Sequence, residues 1–214
     1  MRFDLVVERL ANLPDPLPAP ADVLMPVVVG EMDVQARTRD VAVPGRAPRP
    51  AAVLALVYPD GAGVAHIVLT ERAARDGHHS GEVSFPGGAA EPEDADIAAT
   101  ALREAAEEVA LDPVAAGVQI VARLDRFVIP VSDFEVHPVV AVAARRPALV
   151  ASPAEVARIV EPRLDRFVPG APITIVERTI GDWPLRYGAY DVEGLSVWGA
   201  TARILSQLGA AVAE

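Results

Sequence analysis

Neither cysteine nor lysine occurs anywhere in the 214 residues. Without cysteine, disulfides, thiolate nucleophiles and cysteine-ligated zinc or iron–sulfur centres are excluded. All nineteen basic residues are arginine, so the phosphate-binding lysine of a P-loop and the amine of a Schiff base are both missing. Long apolar runs are absent too. None approaches the roughly 18–20 residues that span a bilayer, and Asp4 and Glu8 interrupt the stretch Met1–Leu13 where an export signal would need an unbroken apolar centre. The expectation is a cytoplasmic protein with no membrane partner. Positive charge is scarce: the net charge is −11, which argues against nucleic acid as a partner, because such binders replace condensed counterions with a basic face. A small phosphate-bearing substrate remains compatible, since bound cations invert the field of an acidic site.

Apolar residues make up 51% of the chain and charged residues 23%, an ordinary globular composition. Leu5, Val6, Arg9, Leu10 and Leu13 have helical spacing and predict a helix over 3–13, followed by a proline-rich stretch. Residues 1–50 therefore read as a helix and Pro-rich leader packed on the domain, and residues 51–214 as the domain proper. Strands are predicted at Ala51–Tyr58, at Val64–Leu69 as its hairpin partner, and in a short extended piece from Glu82 to Phe85. Residues 96–110 are the clearest helix, with Ile97, Ala98, Ala101, Leu102, Ala105 and Val109 on its apolar face. Further strands are expected at Gln119–Val128, Glu135–Ala143, Ile173–Thr179 and Leu185–Val192. A short helix is expected at Pro153–Val160, and a closing amphipathic helix at Trp198–Leu208. Strands, one inserted helix, more strands and a final helix indicate an α/β fold with a mixed sheet, not a doubly wound one.

Chemistry concentrates in Gly87-Gly88 and, further on, Arg103-Glu104-Ala105-Ala106-Glu107-Glu108. At 3.6 residues per turn the three glutamates share an arc of roughly 100°. Carboxylates three and four residues apart repel by a few tenths of a kcal/mol per exposed pair. A solvated acidic face tolerates this, and a divalent cation relieves it. Few hard oxygen ligands with positions left for water and phosphate suit Mg²⁺. Arg103 can orient one carboxylate through a forked pair, and Gly-Gly lets the backbone approach a ligand or take a positive φ.

These residues resemble the Nudix hydrolase family, whose box reads G-x5-E-x7-R-E-U-x-E-E-x-G-U with U aliphatic. Gly88 opens the box, Arg103-Glu104 and Glu107-Glu108 match its core, and Leu111 its last aliphatic position. The distance from Gly88 to Arg103 is one residue longer than standard, Asp94 stands where the first Glu would be, and Ala110 replaces the final Gly. The longer spacing is found in the coenzyme A diphosphatase branch. Leu69-Thr70-Glu71-Arg72 and His79-Ser80-Gly81-Glu82-Val83-Ser84-Phe85-Pro86-Gly87-Gly88 look like that branch's L-T-x-R … H-x-G-x-V-x-F-P-G-G. Phe134–Pro138, Ser152–Val156 and Val197–Ala202 resemble its later blocks, so the likeness runs from about Ala51 to Leu208.

The resemblance implies a Nudix-type α/β/α sandwich that hydrolyses an organic pyrophosphate. Mg²⁺ or Mn²⁺ would be held by Glu104, Glu107 and Glu108, with Arg103 as the orienting residue and Gly87 and Gly88 leaving room for backbone contact with metal or phosphate. Glu155 is the later-loop candidate for general base, or else a surface glutamate near a helix start. Arg72 pairs with a phosphate or clamps structure, and His79 donates to a phosphate or caps its loop. His78 reads as a bystander, His66 and His137 as structural histidines in strands, and the Trp198–Thr201 string as core packing at the start of a helix. The branch implies coenzyme A or an acyl derivative, cut to 3′,5′-ADP and a 4′-phosphopantetheine product. ADP-ribose or another nucleotide substrate, or a silent nucleotide-binding domain, are the alternatives, and a homodimer is left open as the assembly.

Overall fold

Val6 and Leu10 share one face of the helix Phe3–Leu10 (α1), and both are buried, so the first element already belongs to the core. The computed structural model describes residues 1–29, 47–73, 82–129, 132–180 and 183–213. A two-residue strand, Val27–Val28 (β1), precedes the long strand Arg49–Pro59 (β2). Ala65–Ile67 (β3), Leu69–Arg72 (β4), Val83–Ser84 (β5) and Gly87–Ala89 (β6) lead to the helix Ile97–Val109 (α2). Next come Gln119–Arg123 (β7), Phe127–Ile129 (β8), Phe134–Val142 (β9) and Val156–Val160 (β10). Thr174–Ile180 (β11), Trp183–Val192 (β12), Leu195–Val197 (β13) and the helix Gly199–Ala211 (α3) follow.

Alternation along β2 organises the layers. Ala52, Leu54, Leu56 and Tyr58 bury with Ala101, Ala105 and Val109 of α2. Ala55 and Val57 point the other way, into a cluster with Val6 and Leu10 of α1 and Leu205 and Leu208 of α3. β9 repeats the division, Val139 and Ala141 toward α2 and Val140 and Val142 away from it. β2 and β9 run parallel in register from Arg49↔Phe134 to Val57↔Val142, whereas β3, β6, β7 and β8 join them antiparallel. The result is a mixed six-stranded sheet between α2 on one face and α1 and α3 on the other, the α/β/α sandwich expected. Two smaller antiparallel sheets flank it, one ordered β10-β4-β5 and one β1-β12-β11, with β13 pairing β12. Among the described residues no helix is long and apolar enough to cross a membrane.

Three expectations need correction. Gln119–Val128 is not one strand: β7 ends at Arg123 and β8 begins at Phe127, each pairing separately with β9. Pro153–Val160 is not a helix: Ser152–Glu155 forms a turn, and Val156–Val160 is a strand paired with β4. Its register shifts between Val156 and Arg158. A β-bulge of this kind resets the alternation, so Val156, Ile159 and Val160 fall at spacings that imitate a helix. The predicted strand Val64–Leu69 is also split. Ala65–Ile67 pairs with β2, while Leu69 begins β4, which pairs with β10 and β5. Both faces are covered there, so Ile67, Val68 and Leu69 are all buried and the apolar run gives no sign of the change of partner.

Candidate active site

Asp96 fixes the start of α2: its carboxylate accepts the N–H groups of Ala98 and Ala99, each at 2.8 Å. Two residues earlier, Asp94 takes Arg103 in a forked pair, Oδ1 from Nε at 3.0 Å and Oδ2 from Nη2 at 3.1 Å. Thr100 and the Glu91 N–H also donate to Asp94, each at 2.9 Å. Those donors hold its carboxyl well below the usual range, Arg103 contributing most. Arg103 is thereby pinned to the loop before its own helix, and Nη2 reaches the Ala89 carbonyl at 2.9 Å. Its Nη1 is left for the glutamates, 3.0 Å from Glu104 Oε1 and 3.4 Å from both oxygens of Glu107. The helix ends at Ala110, which adopts the left-handed conformation (φ 53°, ψ 34°) that favours glycine.

The three glutamates of the box occupy different environments. Glu107 is 56% exposed and, among the described residues, pairs only with Arg103. Glu104 is half-buried against Gly88: a Cβ on that glycine would stand 2.5 Å from the Glu104 carboxyl carbon. Burial raises the Glu104 carboxyl, with Arg103 opposing the rise and the charges of Glu107 and Glu155 adding to it. Glu108 is 5% exposed, and burial pushes its carboxyl up to about 7. The charge of Arg72 and a hydrogen bond from the Gly87 N–H pull it back, while Glu104 and Glu155 push it further. Glu108 Oε2 is buried with no hydrogen-bond partner among the described residues. Gly87 and Gly88 serve close approach alone. Neither is among the positive-φ residues, and both lie in β6 against β2, where a Cβ on Gly87 would meet the Ala52 carbonyl oxygen at 2.4 Å.

Glu155 joins the group through the turn that replaced the expected helix. Ser152 donates to the Glu108 carbonyl at 2.8 Å and Glu155 accepts from Ala73 at 2.8 Å, so the turn is tied to both α2 and the end of β4. Its charge reaches Glu104 and Glu108. Arg72, exposed at the end of β4, acts on Glu108. His78 and His79 lie outside the described residues. His66 Nδ1 is 2.7 Å from the Glu161 carbonyl and His137 Nε2 is 2.9 Å from Glu135 Oε2, so both strand histidines have local partners. The sequence reading gave no role to Asp94 or Asp96. Asp96 carried an N-cap signal, an aspartate just before the first apolar helical residue. Asp94 carried only its place in the box, where the first Glu would stand; its pairing with Arg103, nine positions on, is made by the loop and cannot be read from spacing.

A divalent cation suits this donor set. The unpartnered Oε2 of Glu108 and the Glu104 carboxylate over a glycine backbone are hard oxygens held at a cost that a cation would offset. The carboxylates are gathered but not closed. Among the described residues no three acidic or histidine side chains stand in ligating geometry, since Arg103 holds Glu104 and Glu107 on its own side.

Comparison with known proteins identifies the family. The NUDIX domain matches residues 48–162, more than half of the chain. NudL, a Nudix hydrolase of Citrobacter koseri, is 39% identical over 152 residues, covering 66% of this chain and 72% of the relative. Nudix hydrolase 22, chloroplastic, of Arabidopsis thaliana is 36% identical over 168 residues, 74% of this chain and 53% of that protein. Among solved structures, a MutT/nudix family protein from Enterococcus faecalis overlaps 76% of this chain and 61% of its own, at a TM-score of 0.48 and 14% identity. RenU, a Nudix hydrolase from M. smegmatis, overlaps 56% and 73% at 0.46 and 23% identity. Family members generally use divalent metal ions. The chain belongs to the Nudix hydrolase family and is an enzyme of its diphosphatase class.

Proposed function

We propose that this Nudix hydrolase cleaves the pyrophosphate of coenzyme A or an acyl-coenzyme A, giving 3′,5′-ADP and 4′-phosphopantetheine or its acyl form. The observation that carries the hydrolase site is Glu108, buried with one oxygen unpartnered between the charges of Arg72, Glu104 and Glu155. Support for the coenzyme A substrate is the way its separate sequence blocks converge. β4, with Leu69–Arg72, pairs with both β5 and β10. Ala73 is bonded to Glu155, and Thr201 donates to the Val83 carbonyl at 3.0 Å. Strings far apart in the chain are thus gathered around β4 and β5, which is what a shared substrate would require.

Glu104, Glu107 and Glu108 would hold Mg²⁺ or Mn²⁺, which neutralises pyrophosphate charge and makes a bound water more acidic. The chain's own residues position and exchange protons. Arg103, fixed by Asp94, sets the direction of Glu104 and Glu107. Arg72 meets a phosphate oxygen, and the β6 backbone at Gly87 and Gly88 leaves room for the ligand. Glu155 accepts the proton of the attacking water as the P–O–P bond opens at phosphorus and the leaving phosphate takes the electron pair.

The test is a competitive panel of coenzyme A, acyl-coenzyme A, ADP-ribose, dinucleoside polyphosphates and nucleoside triphosphates with Mg²⁺ and with Mn²⁺, products identified by mass. Coenzyme A compounds should turn over fastest, and Glu107→Gln and Glu108→Gln should each lower kcat by about a hundredfold or more without loss of fold. Faster cleavage of ADP-ribose would remove the substrate assignment, and wild-type turnover in both variants would remove the site.

A further inference from the structure

Trp198 precedes α3 directly, as expected at the start of a helix; Thr201 is buried and Ala200 packs on the core, whereas Trp198 itself is half-buried and outside both core clusters. Its indole stacks on Tyr187, with ring centroids 4.6 Å apart and planes 25° from parallel. The Arg178 guanidinium lies over the same indole, 5.3 Å from its centroid. Register explains the ladder. Val176 faces Tyr187 and Arg178 faces Leu185 across the β11–β12 ribbon, so these four side chains share one face. Tyr187 is buried and anchors the base, whereas Arg178 is exposed. Among the described residues the Arg178 guanidinium makes no hydrogen bond or ion pair beyond this stacking. An arginine laid on an indole keeps its N–H edge available to an anion, and part of its ordering cost is met before any ligand arrives.

The ladder adjoins the strands that border the site: Thr201, three residues after Trp198, donates to the Val83 carbonyl of β5 at 3.0 Å, and β5 pairs with β4, which ends at Arg72. The charges of Arg178 and Glu82 both act on the Tyr187 hydroxyl. The Glu82 carbonyl accepts the Arg72 N–H at 2.9 Å, and the charge of Arg72 reaches Glu108. In a chain of net charge −11, an exposed cation stacked on an indole and in no ion pair with a carboxylate among the described residues is a place for substrate charge. The geometry points to Arg178, held on Trp198, as a second anion subsite that takes a phosphate monoester of the substrate outside the scissile pyrophosphate. The assignment rests on the coenzyme A reading above, since that nucleotide carries such a group on the ribose 3′ oxygen.

Two measurements on the 214-residue chain test it. In calorimetric titrations, 3′,5′-ADP should bind about tenfold more tightly than 5′-AMP. Arg178→Gln should close that gap by weakening 3′,5′-ADP alone, and Arg178→Lys should keep part of it. In kinetics with Mg²⁺, coenzyme A should show a KM about tenfold below that of 3′-dephospho-coenzyme A, and Arg178→Gln should erase the difference. Equal affinity of the wild type for the two nucleotides, or parallel weakening of both in Arg178→Gln, overturns the subsite. Equal KM for the two coenzymes overturns it as well but leaves the coenzyme A reading standing. If neither coenzyme is cleaved while another pyrophosphate is, the substrate reading fails, and the calorimetric gap alone then decides the subsite.

Discussion

Replacing Glu108 with Gln should change how stability depends on pH, measured in chelator so that no divalent cation contributes. Burial raises the folded-state carboxyl from an ordinary value of 4.5 to about 7. A folded state that binds its proton more tightly than the unfolded chain is favoured by this group at low pH. That contribution is complete below the unfolded value and is lost as pH rises through about 7. Each tenfold change in proton affinity is worth about 1.4 kcal/mol, so wild type should lose roughly 3 kcal/mol relative to Glu108→Gln between about pH 4.5 and pH 8. Glutamine does not titrate, and any constant cost of its amide beside the Gly87 N–H cancels when the two pH profiles are subtracted. Urea denaturation at matched salt across that range reads the difference directly. Adding Mg²⁺ at pH 8 should then stabilise wild type, by about 2.7 kcal/mol at a hundredfold excess over Kd, and the variant much less. Parallel pH profiles for the two proteins would refute the claim that this carboxylate is buried at a cost.

The two adjacent glycines should respond differently to alanine. Gly88→Ala drives a methyl into the Glu104 carboxylate, so activity should fall by about tenfold or more with modest loss of stability, because a side-chain tip can move. Gly87→Ala meets the Ala52 carbonyl and the Val53 backbone, which cannot move independently, so thermal denaturation should show the larger destabilisation, about 2 kcal/mol or more. Ala110→Gly should raise stability by about 0.5–1 kcal/mol, since it relieves a left-handed alanine at the end of α2. A fall in the urea midpoint of that variant would contradict the strain argument.

Periodicity located β2, β9 and α2 because each buries a whole face or stripe, and burial is what periodicity encodes. Pairing is another matter. Nothing in Ile67, Val68 and Leu69 announces that the chain leaves one sheet for another, because all three are buried either way. The bulge in β10 misleads for a related reason: one extra residue in a strand reproduces a helical spacing. In the site, the arc of Glu104, Glu107 and Glu108 was legible and their inequality was not. Helical geometry gives the glutamates equal standing, and tertiary packing, with β6 against α2 and Ser152 bonded to the Glu108 carbonyl, leaves Glu108 buried and Glu107 exposed. Arg178 was invisible for the same reason. Its meaning comes from Trp198, twenty residues away in the chain and stacked beneath it by the ribbon's register.

Arg103 sets the order in which these carboxylates become available. Its Nε and Nη2 are committed to Asp94, and its single remaining nitrogen serves Glu104 and Glu107 together. At 3.0 Å the contact to Glu104 is a sound charge-assisted hydrogen bond, whereas at 3.4 Å the contact to half-exposed Glu107 is worth at most a fraction of a kcal/mol. Glu107 can therefore swing away at little cost, while Glu104 leaves Nη1 only if a cation offers more. Glu108 has no hydrogen bond or ion pair with Arg103, and one of its oxygens has no hydrogen-bond partner among the described residues. A divalent cation held here would draw on Glu108 once its proton has left and on Glu107 at little cost, and would have to compete with the arginine for Glu104. The forked pair with Asp94 keeps that competition local, because Arg103 cannot follow Glu104 without breaking two bonds of about 3 Å.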